Sequence, residues 1–317
     1  MILAINLNAA LDRIYFIDRF IPGTHIRAQK TLLSVGGKGL CAARVLKTLG
    51  APYRAISFIA GTNGKTLAKL LRQYDIDTEL IWVPGDTREA NVIVETDLNR
   101  HSHITTSGYQ LNRAYCDQYL DKIKEIALGA KWAIIAGTLP QGAPNSFYKE
   151  IIELLHEYGV KVLIDTFGPP LLETLCVLPD VVKMNQDEFQ DTFQISSPKD
   201  LSDWISISLE RMEIYKIKSL VLTCGKVGIL TFTPKGVYHA GCKEITEVNA
   251  AGAGDAVSAA LVHRFLLGDS WEEALLWAAA TSAAVVLTEG TAECYQKDIL
   301  EIYPQAWIKP YHQQEIK

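Results

Sequence analysis

The 317-residue chain has little cysteine, and what it has is scattered: Cys41, Cys116, Cys176, Cys224, Cys242 and Cys294, with no CxxC pair. That spacing speaks against a disulfide framework or a thiolate zinc site and fits reduced thiols. Long apolar runs are missing too; none approaches the ~20 residues that a membrane span needs. The opening Met1-Ile-Leu-Ala-Ile-Asn6 lacks the basic stretch and extended apolar core of a secretion signal, and reads instead as a buried strand. There is no excess of basic charge. Lys and Arg number 31 against 36 Asp and Glu, a net charge of −5, with the signs interspersed. A nucleic-acid partner is therefore not expected, nor a membrane partner, and the expected location is cytoplasmic. Internal repeats and low-complexity linkers are also absent.

What is present suits a globule with a sizeable core: 48% hydrophobic and 21% charged residues. Short Val- and Ile-rich runs, bounded by Gly, Pro or Asp, predict strands at Ile2–Asn6, Ala55–Ile59, Leu80–Val83, Trp132–Ala136, Val160–Asp165, Val181–Lys183 and Ser219–Thr223. Helical stretches lie between them. In Gly37–Leu49 the apolar Ala42, Val45, Leu46 and Leu49 share one face, and Ser146–Tyr158 places Phe147, Ile151, Leu154 and Leu155 likewise. This alternation predicts an α/β fold over residues 1–310: a doubly wound, mostly parallel sheet flanked by helices. Two stretches, about 12–34 and 86–107, break the rhythm. They carry strand-like pieces at Ile14–Ile17, Asn91–Glu95 and His101–Thr105, with a hairpin turn at Asp97-Leu-Asn-Arg100. They are expected to form a small β-sheet lid. The polar tail after Pro310 is expected to fray.

The densest chemical signal is Asn249-Ala-Ala-Gly-Ala-Gly-Asp255, followed by an apolar helical run from Ala256 to Leu267. Small residues let backbone approach a ligand closely, and a helix start offers N–H groups and a positive dipole end. Gly252, Ala253 and Gly254 can thus cradle phosphate charge, with Asp255 beside them as a base. An ordinary tight helix N-terminus has the same pattern. A second glycine cluster, Gly36-Gly-Lys-Gly39, also opens a helix. It is not a Walker A loop, because no Gly stands five positions earlier and no Ser or Thr follows Lys38. Gly61-Thr-Asn-Gly-Lys-Thr66 ends like a Walker A loop, but its required first Gly is Ile59, so it reads as a strand-to-helix turn.

With both clusters in order, and Asn8-Ala-Ala-Leu-Asp12 ahead of them, the chain resembles the PfkB family of carbohydrate kinases, of ribokinase-like fold, from Met1 to about Thr291. Gly36-Gly-Lys-Gly-Leu-Cys-Ala-Ala-Arg44 matches the family's first signature and Gly252-Ala-Gly-Asp255 its second. Asp86-Thr-Arg88, Ala136-Gly-Thr-Leu-Pro140, Ile164-Asp-Thr-Phe-Gly168, Lys183-Met-Asn-Gln-Asp-Glu188 and Thr223-Cys-Gly-Lys-Val-Gly228 resemble the 1-phosphofructokinase and tagatose-6-phosphate kinase branch. The resemblance implies ATP-dependent phosphorylation of a sugar or sugar phosphate, with Asp255 as base. It implies acceptor binding by Asp12, Gly36, Gly37, Lys38 and Cys41, with Arg88 and Arg27 holding an existing phosphate. Asn185, Thr223, Gly225, Gly228, Gly252, Gly254, Ala279 and Ala283 would line the nucleotide site, with Glu188 near Mg²⁺. A monovalent cation is left open, and pairing of two copies through the lid is implied by analogy. A ribokinase- or nucleoside-kinase-like acceptor, or a non-catalytic nucleotide or sugar sensor, are the alternatives. The chain departs from the family at Cys41 and Ala90, where Asn is usual, and at Ala250, where a hydroxyl is usual. Ala9 and Met184 replace usual prolines.

Overall fold

The computed structural model describes residues 1–98 and 100–311. The chain begins with β1 (Ile2–Asn6), β2 (Ala10–Ile17), β3 (Lys30–Gly36), α1 (Lys38–Thr48), β4 (Tyr53–Ile59), α2 (Gly61–Gln73) and β5 (Thr78–Trp82). Next come β6 (Arg88–Glu95), β7 (Arg100–Thr105), α3 (Arg113–Ala127), β8 (Trp132–Ala136), α4 (Phe147–Glu157), β9 (Lys161–Asp165) and α5 (Gly168–Thr174). Then follow β10 (Val181–Asn185), α6 (Gln186–Phe193), α7 (Leu201–Tyr215), β11 (Leu220–Thr223), β12 (Ile229–Thr233) and β13 (Gly236–Cys242). The last elements are α8 (Ala253–Leu267), α9 (Trp271–Val286), α10 (Gln296–Ile302) and β14 (Ala306–Tyr311).

Ten strands form the main sheet in the order β14-β13-β12-β11-β10-β9-β8-β1-β4-β5. From β11 to β5 the pairing is parallel. β1 is buried along its whole length and alternates its side chains between two cores. Ile2 and Ala4 join the face covered by α1, α2, α8, α9 and α10, while Leu3 and Ile5 join the face covered by α3 to α7. The chain runs outward from β1 in one direction through β4 and β5. It then returns to β8 and runs the other way, so the strand order reverses between β1 and β8. In doubly wound sheets ligands bind at the carboxyl ends of the strands beside such a reversal.

The parallel core agrees with the expected strands. The antiparallel extension β12-β13-β14 was not anticipated. Its outermost strand contains Pro310, which only an edge tolerates because it cannot donate to a ladder. The second sheet, β3-β2-β6-β7, is built from the two segments expected to form a lid. Its own core is thin: Ile14, Phe16, Val92 and Val94, with Leu32 packed against them. β2 begins at Ala10 and β3 runs to Gly36, so both strands reach the site itself. The expected turn at 97–100 includes Asn99, and the tail from 312 onward likewise lies outside the described residues.

Candidate active site

Two helix starts meet above the carboxyl ends of β1, β9 and β10. The start of α1 is seated on β1. Gly37 has φ 101°, and a Cβ on Gly39 would stand 2.5 Å from the Ile5 carbonyl. Asn6 fixes the junction: its Oδ1 accepts the Gly39 N–H at 3.2 Å while its Nδ2 donates to Ser57 Oγ at 2.9 Å. The start of α8 turns on Gly252, with φ 87°, where a Cβ would meet Ala292 at 2.5 Å. Only glycine serves at either turn, since each combines a left-handed backbone with a close neighbour.

Between the two helix starts lies a charge network, buried at Asp165 and Lys183 and partly open at Lys38 and Glu188. Lys38 Nζ donates to Asp165 Oδ1 at 2.9 Å and to Glu188 Oε1 at 2.7 Å. Lys183 Nζ donates to Asp165 Oδ2 at 2.6 Å, and Ser258 Oγ donates to the same oxygen at 3.1 Å. Burial alone would raise the Asp165 pKa, but the two ammonium groups outweigh it and hold the carboxyl well below the usual carboxylate range. Burial alone would lower Lys38, but Asp165, Glu188 and Asp255 outweigh it and keep the amine charged. Asp255, one helical turn before Ser258, is only 7% exposed. Its pKa is pushed up to about 7, first by burial and then by the Asp165 charge, against the pull of Lys38 and Lys183. A carboxylate so poised can take a proton near neutral pH.

Asp12 lies on β2, an inner strand of the small sheet, opposite Ser34 on β3 and Ala90 on β6. Its Oδ2 accepts the Thr291 hydroxyl at 2.7 Å. Burial lifts its pKa to about 6, while Thr291 and Arg88 pull it down. Gly36 makes room for it: a Cβ there would come within 1.9 Å of Asp12 Oδ1. Ala90 therefore stands beside Asp12. Asn91, one step along the strand, points to the other face and cannot take its place. The Arg88 guanidinium donates through Nη2 to the Asn8 carbonyl at 3.3 Å, and its Nε is buried with no hydrogen-bond partner. Cys41 is 2% exposed, with Sγ 3.7 Å from the Val35 carbonyl. Burial, then the charges of Asp255 and Asp12, push its thiol far up, so it is a neutral group between the two carboxylates.

On the other side of α8 opens a cavity of about 620 Å³. Asn185, Thr223, Gly225, Gly228, Gly254, Ala279 and Ala283, all expected at a nucleotide site, line it. Ala250 does so as well. The walls are mostly backbone and small side chains, which suits a flat base and its sugar. Asn185 and Glu188 form a reciprocal cap on α6: Asn185 Oδ1 accepts the Glu188 N–H at 2.8 Å, and Glu188 Oε2 accepts the Asn185 N–H at 2.9 Å. Glu188 thus serves helix, lysine and site together. Among the described residues no three metal-ligating side chains cluster, so Mg²⁺ would meet few protein atoms, as it commonly does.

Two sequence features fall elsewhere. Arg27 is exposed in the connection between β2 and β3, and among the described residues no hydrogen bond or ion pair ties it to the site. The Walker-like Gly61–Thr66 segment starts α2, and Asp86 Oδ1 already accepts the Asn63 N–H there at 3.0 Å. That carboxylate occupies the position a phosphate would need. Sequence reasoning assigned no role to Asp165, Lys183, Thr291 or Asn6. A signal did exist for two of them: Lys183 and Asp165 are charges set into apolar strand runs, where an unpaired charge would be costly.

Comparison with known proteins gives this geometry a setting. The chain is 27% identical over 298 residues to the D-tagatose-1-phosphate kinase of Bacillus licheniformis, covering 94% of this chain and 96% of that one. It is 27% identical over 310 residues to the 1-phosphofructokinase of Bacillus subtilis, covering 95% and 98%. Among solved structures, a possible 1-phosphofructokinase from Thermotoga maritima superposes with a TM-score of 0.89 at 26% identity, over 98% of this chain and 100% of that one. Residues 4–298 match the profile of the pfkB family carbohydrate kinases. A chain matched over that span belongs to the pfkB family, and the protein is a sugar kinase.

Proposed function

We propose that this kinase transfers the γ-phosphate of ATP to a hydroxyl of a ketohexose phosphate, of the fructose 1-phosphate, fructose 6-phosphate or tagatose 6-phosphate class. The observation that carries the reading is the placement of Asp255. It is a buried carboxylate whose pKa burial and the Asp165 charge push up, at the start of α8, between the 620 Å³ cavity and Asp12. Asp255 takes the hydroxyl proton as the oxygen bonds to the γ-phosphorus; the bond to the β,γ-bridging oxygen breaks and ADP leaves. The first turn of α8 and Lys38 oppose the charge on the transferring group. Glu188 would help hold Mg²⁺, which would neutralise phosphate charge when bound. Asp12 accepts hydrogen bonds from acceptor hydroxyls. Arg88, with its unpartnered buried Nε, holds the phosphate the acceptor already carries. A neutral sugar or nucleoside would leave that group unanswered. The relatives named as 1-phosphofructokinase and tagatose-1-phosphate kinase support a phosphorylated acceptor. Exposed Leu33 and Ile104 on the small sheet fit a homodimer paired there, and ATP with reduced thiols fits a cytoplasmic setting.

Coupled ADP release tests this with fructose 1-phosphate, fructose 6-phosphate, the two tagatose phosphates, ribose and several nucleosides. Turnover on a ketohexose phosphate, with little on ribose or nucleosides, is the expected result. Preference for an unphosphorylated acceptor would overturn the role of Arg88.

A further inference from the structure

The connection between α9 and α10 touches both halves of the site. Thr291 within it is held at every polar atom. Its N–H donates to Ser34 Oγ at 3.2 Å, its carbonyl accepts Arg44 Nη1 at 2.7 Å, and its hydroxyl donates to Asp12 Oδ2 at 2.7 Å. Arg44 is itself fixed. Nη1 also reaches Ser34 Oγ at 3.2 Å, Nη2 reaches Glu293 Oε1 at 2.9 Å, and the guanidinium lies 4.6 Å from the centre of the Tyr74 ring. Ser34 pairs with Asp12 across the β2–β3 ladder, so Thr291 docks on both strands at once. The next residue, Ala292, has φ 49°, a left-handed conformation that a non-glycine residue keeps only where its surroundings hold it. Its N–H donates to the Ala251 carbonyl at 2.8 Å, and it packs directly on Gly252. Two consecutive residues therefore bridge the carboxylate of Asp12 to the glycine turn that opens α8.

We propose that Thr291 is a positioning residue for acceptor binding: Arg44 and Ser34 lock it so that its hydroxyl holds the Asp12 carboxylate at a fixed distance from the phosphate cradle. The inference rests on the reading of Asp12 as the acceptor-binding carboxylate. The groups facing Asp12 are Arg88 from β6, Cys41 from α1 and the Thr291 hydroxyl. Only Thr291 both bonds to the carboxylate and belongs to the segment that touches Gly252. A hydroxyl donated to a carboxylate favours its ionised form. Its removal leaves Asp12 easier to protonate and free to rotate.

The test compares wild type with Thr291→Val, which keeps the shape, and Thr291→Ser, which keeps the hydroxyl. The first readout needs no acceptor: the Asp12 carboxyl titration by carbon-13 NMR in aspartate-labelled protein, assigned with Asp12→Asn. The second is KM for the best acceptor against KM for ATP. We expect Thr291→Val to move the Asp12 midpoint upward from about 6 and to raise acceptor KM about tenfold, with ATP KM little changed, and Thr291→Ser to restore both. An unmoved Asp12 midpoint, or equal damage to both KM values, would overturn the proposal and leave Thr291 a packing residue. A moved midpoint with unchanged acceptor KM would also overturn it, and would place the fault in the role given to Asp12.

Discussion

The nucleotide half and the acceptor half of this site are built from different materials. The nucleotide cavity is walled on one side by glycine, alanine and strand ends of the ten-stranded sheet, whose backbone the core fixes, and on the other by the connection from β13 to α8. The acceptor half is set by side chains, Asp12, Arg88 and Cys41, on or beside a four-stranded sheet with a core of four buried residues. Backbone recognition tolerates sequence drift, because many residues can line the same wall. Side-chain recognition does not, so the departures at Cys41 and Ala90, around Asp12, bear on the acceptor, while the departure at Ala250 falls in the cavity wall. Asp255 stands at the border and serves both halves, while the 287–293 segment ties them together.

The largest effect should come from that border. Asp255→Asn keeps shape and burial but cannot accept the proton, and should lower kcat by about 10²–10⁴-fold while ATP binding, read by calorimetry, survives. A parallel loss of ATP affinity would mean that the two halves are not separable at this residue. Arg88→Ala breaks the acceptor half alone. Losing a charge-assisted phosphate contact should raise acceptor KM by about 10- to 100-fold, with ATP KM nearly unchanged. Equal effects on both substrates would point to damage of the whole small sheet. Gly228→Ala is the reciprocal probe. Gly228 has φ 110°, and a Cβ would come 2.2 Å from the Ala240 carbonyl. It should raise ATP KM several-fold and lower Tm by about 2 °C or more, leaving acceptor KM alone.

Much of the parallel sheet could be read in advance, because buried strands print themselves as Val- and Ile-rich runs bounded by turn residues. The antiparallel edge could not. Ile229–Thr233 alternates threonine with apolar residues, Gly236–Cys242 is interrupted by glycines and His239, and β14 carries a proline. At the site, the two glycine turns were visible because their small residues are required by local geometry. The charge network around Asp165 was not, because its members come from β9, β10, α1, α6 and α8, and only the fold brings them into hydrogen-bond reach. Arg27, expected beside the phosphate, lies exposed on the β2–β3 connection, where spacing in the sequence gives no position relative to Arg88. Thr291 lies at the very end of the resemblance, 279 residues from Asp12, so no spacing argument could have paired them.

The central claim is that Asp255 acts as a base whose pKa burial and Asp165 have raised. The direct measurement is the pH dependence of kcat/KM for the acceptor. A base works only when ionised, so a raised pKa means that activity falls as pH drops through that value, not at the ordinary carboxylate pH near 4. With Asp255 near 7 and Asp12 near 6, kcat/KM should fall about tenfold per pH unit below about 7 and more steeply below about 6. A rate that stays flat down to about pH 5 would contradict the account, because the proton acceptor would then be an ordinary carboxylate or none at all.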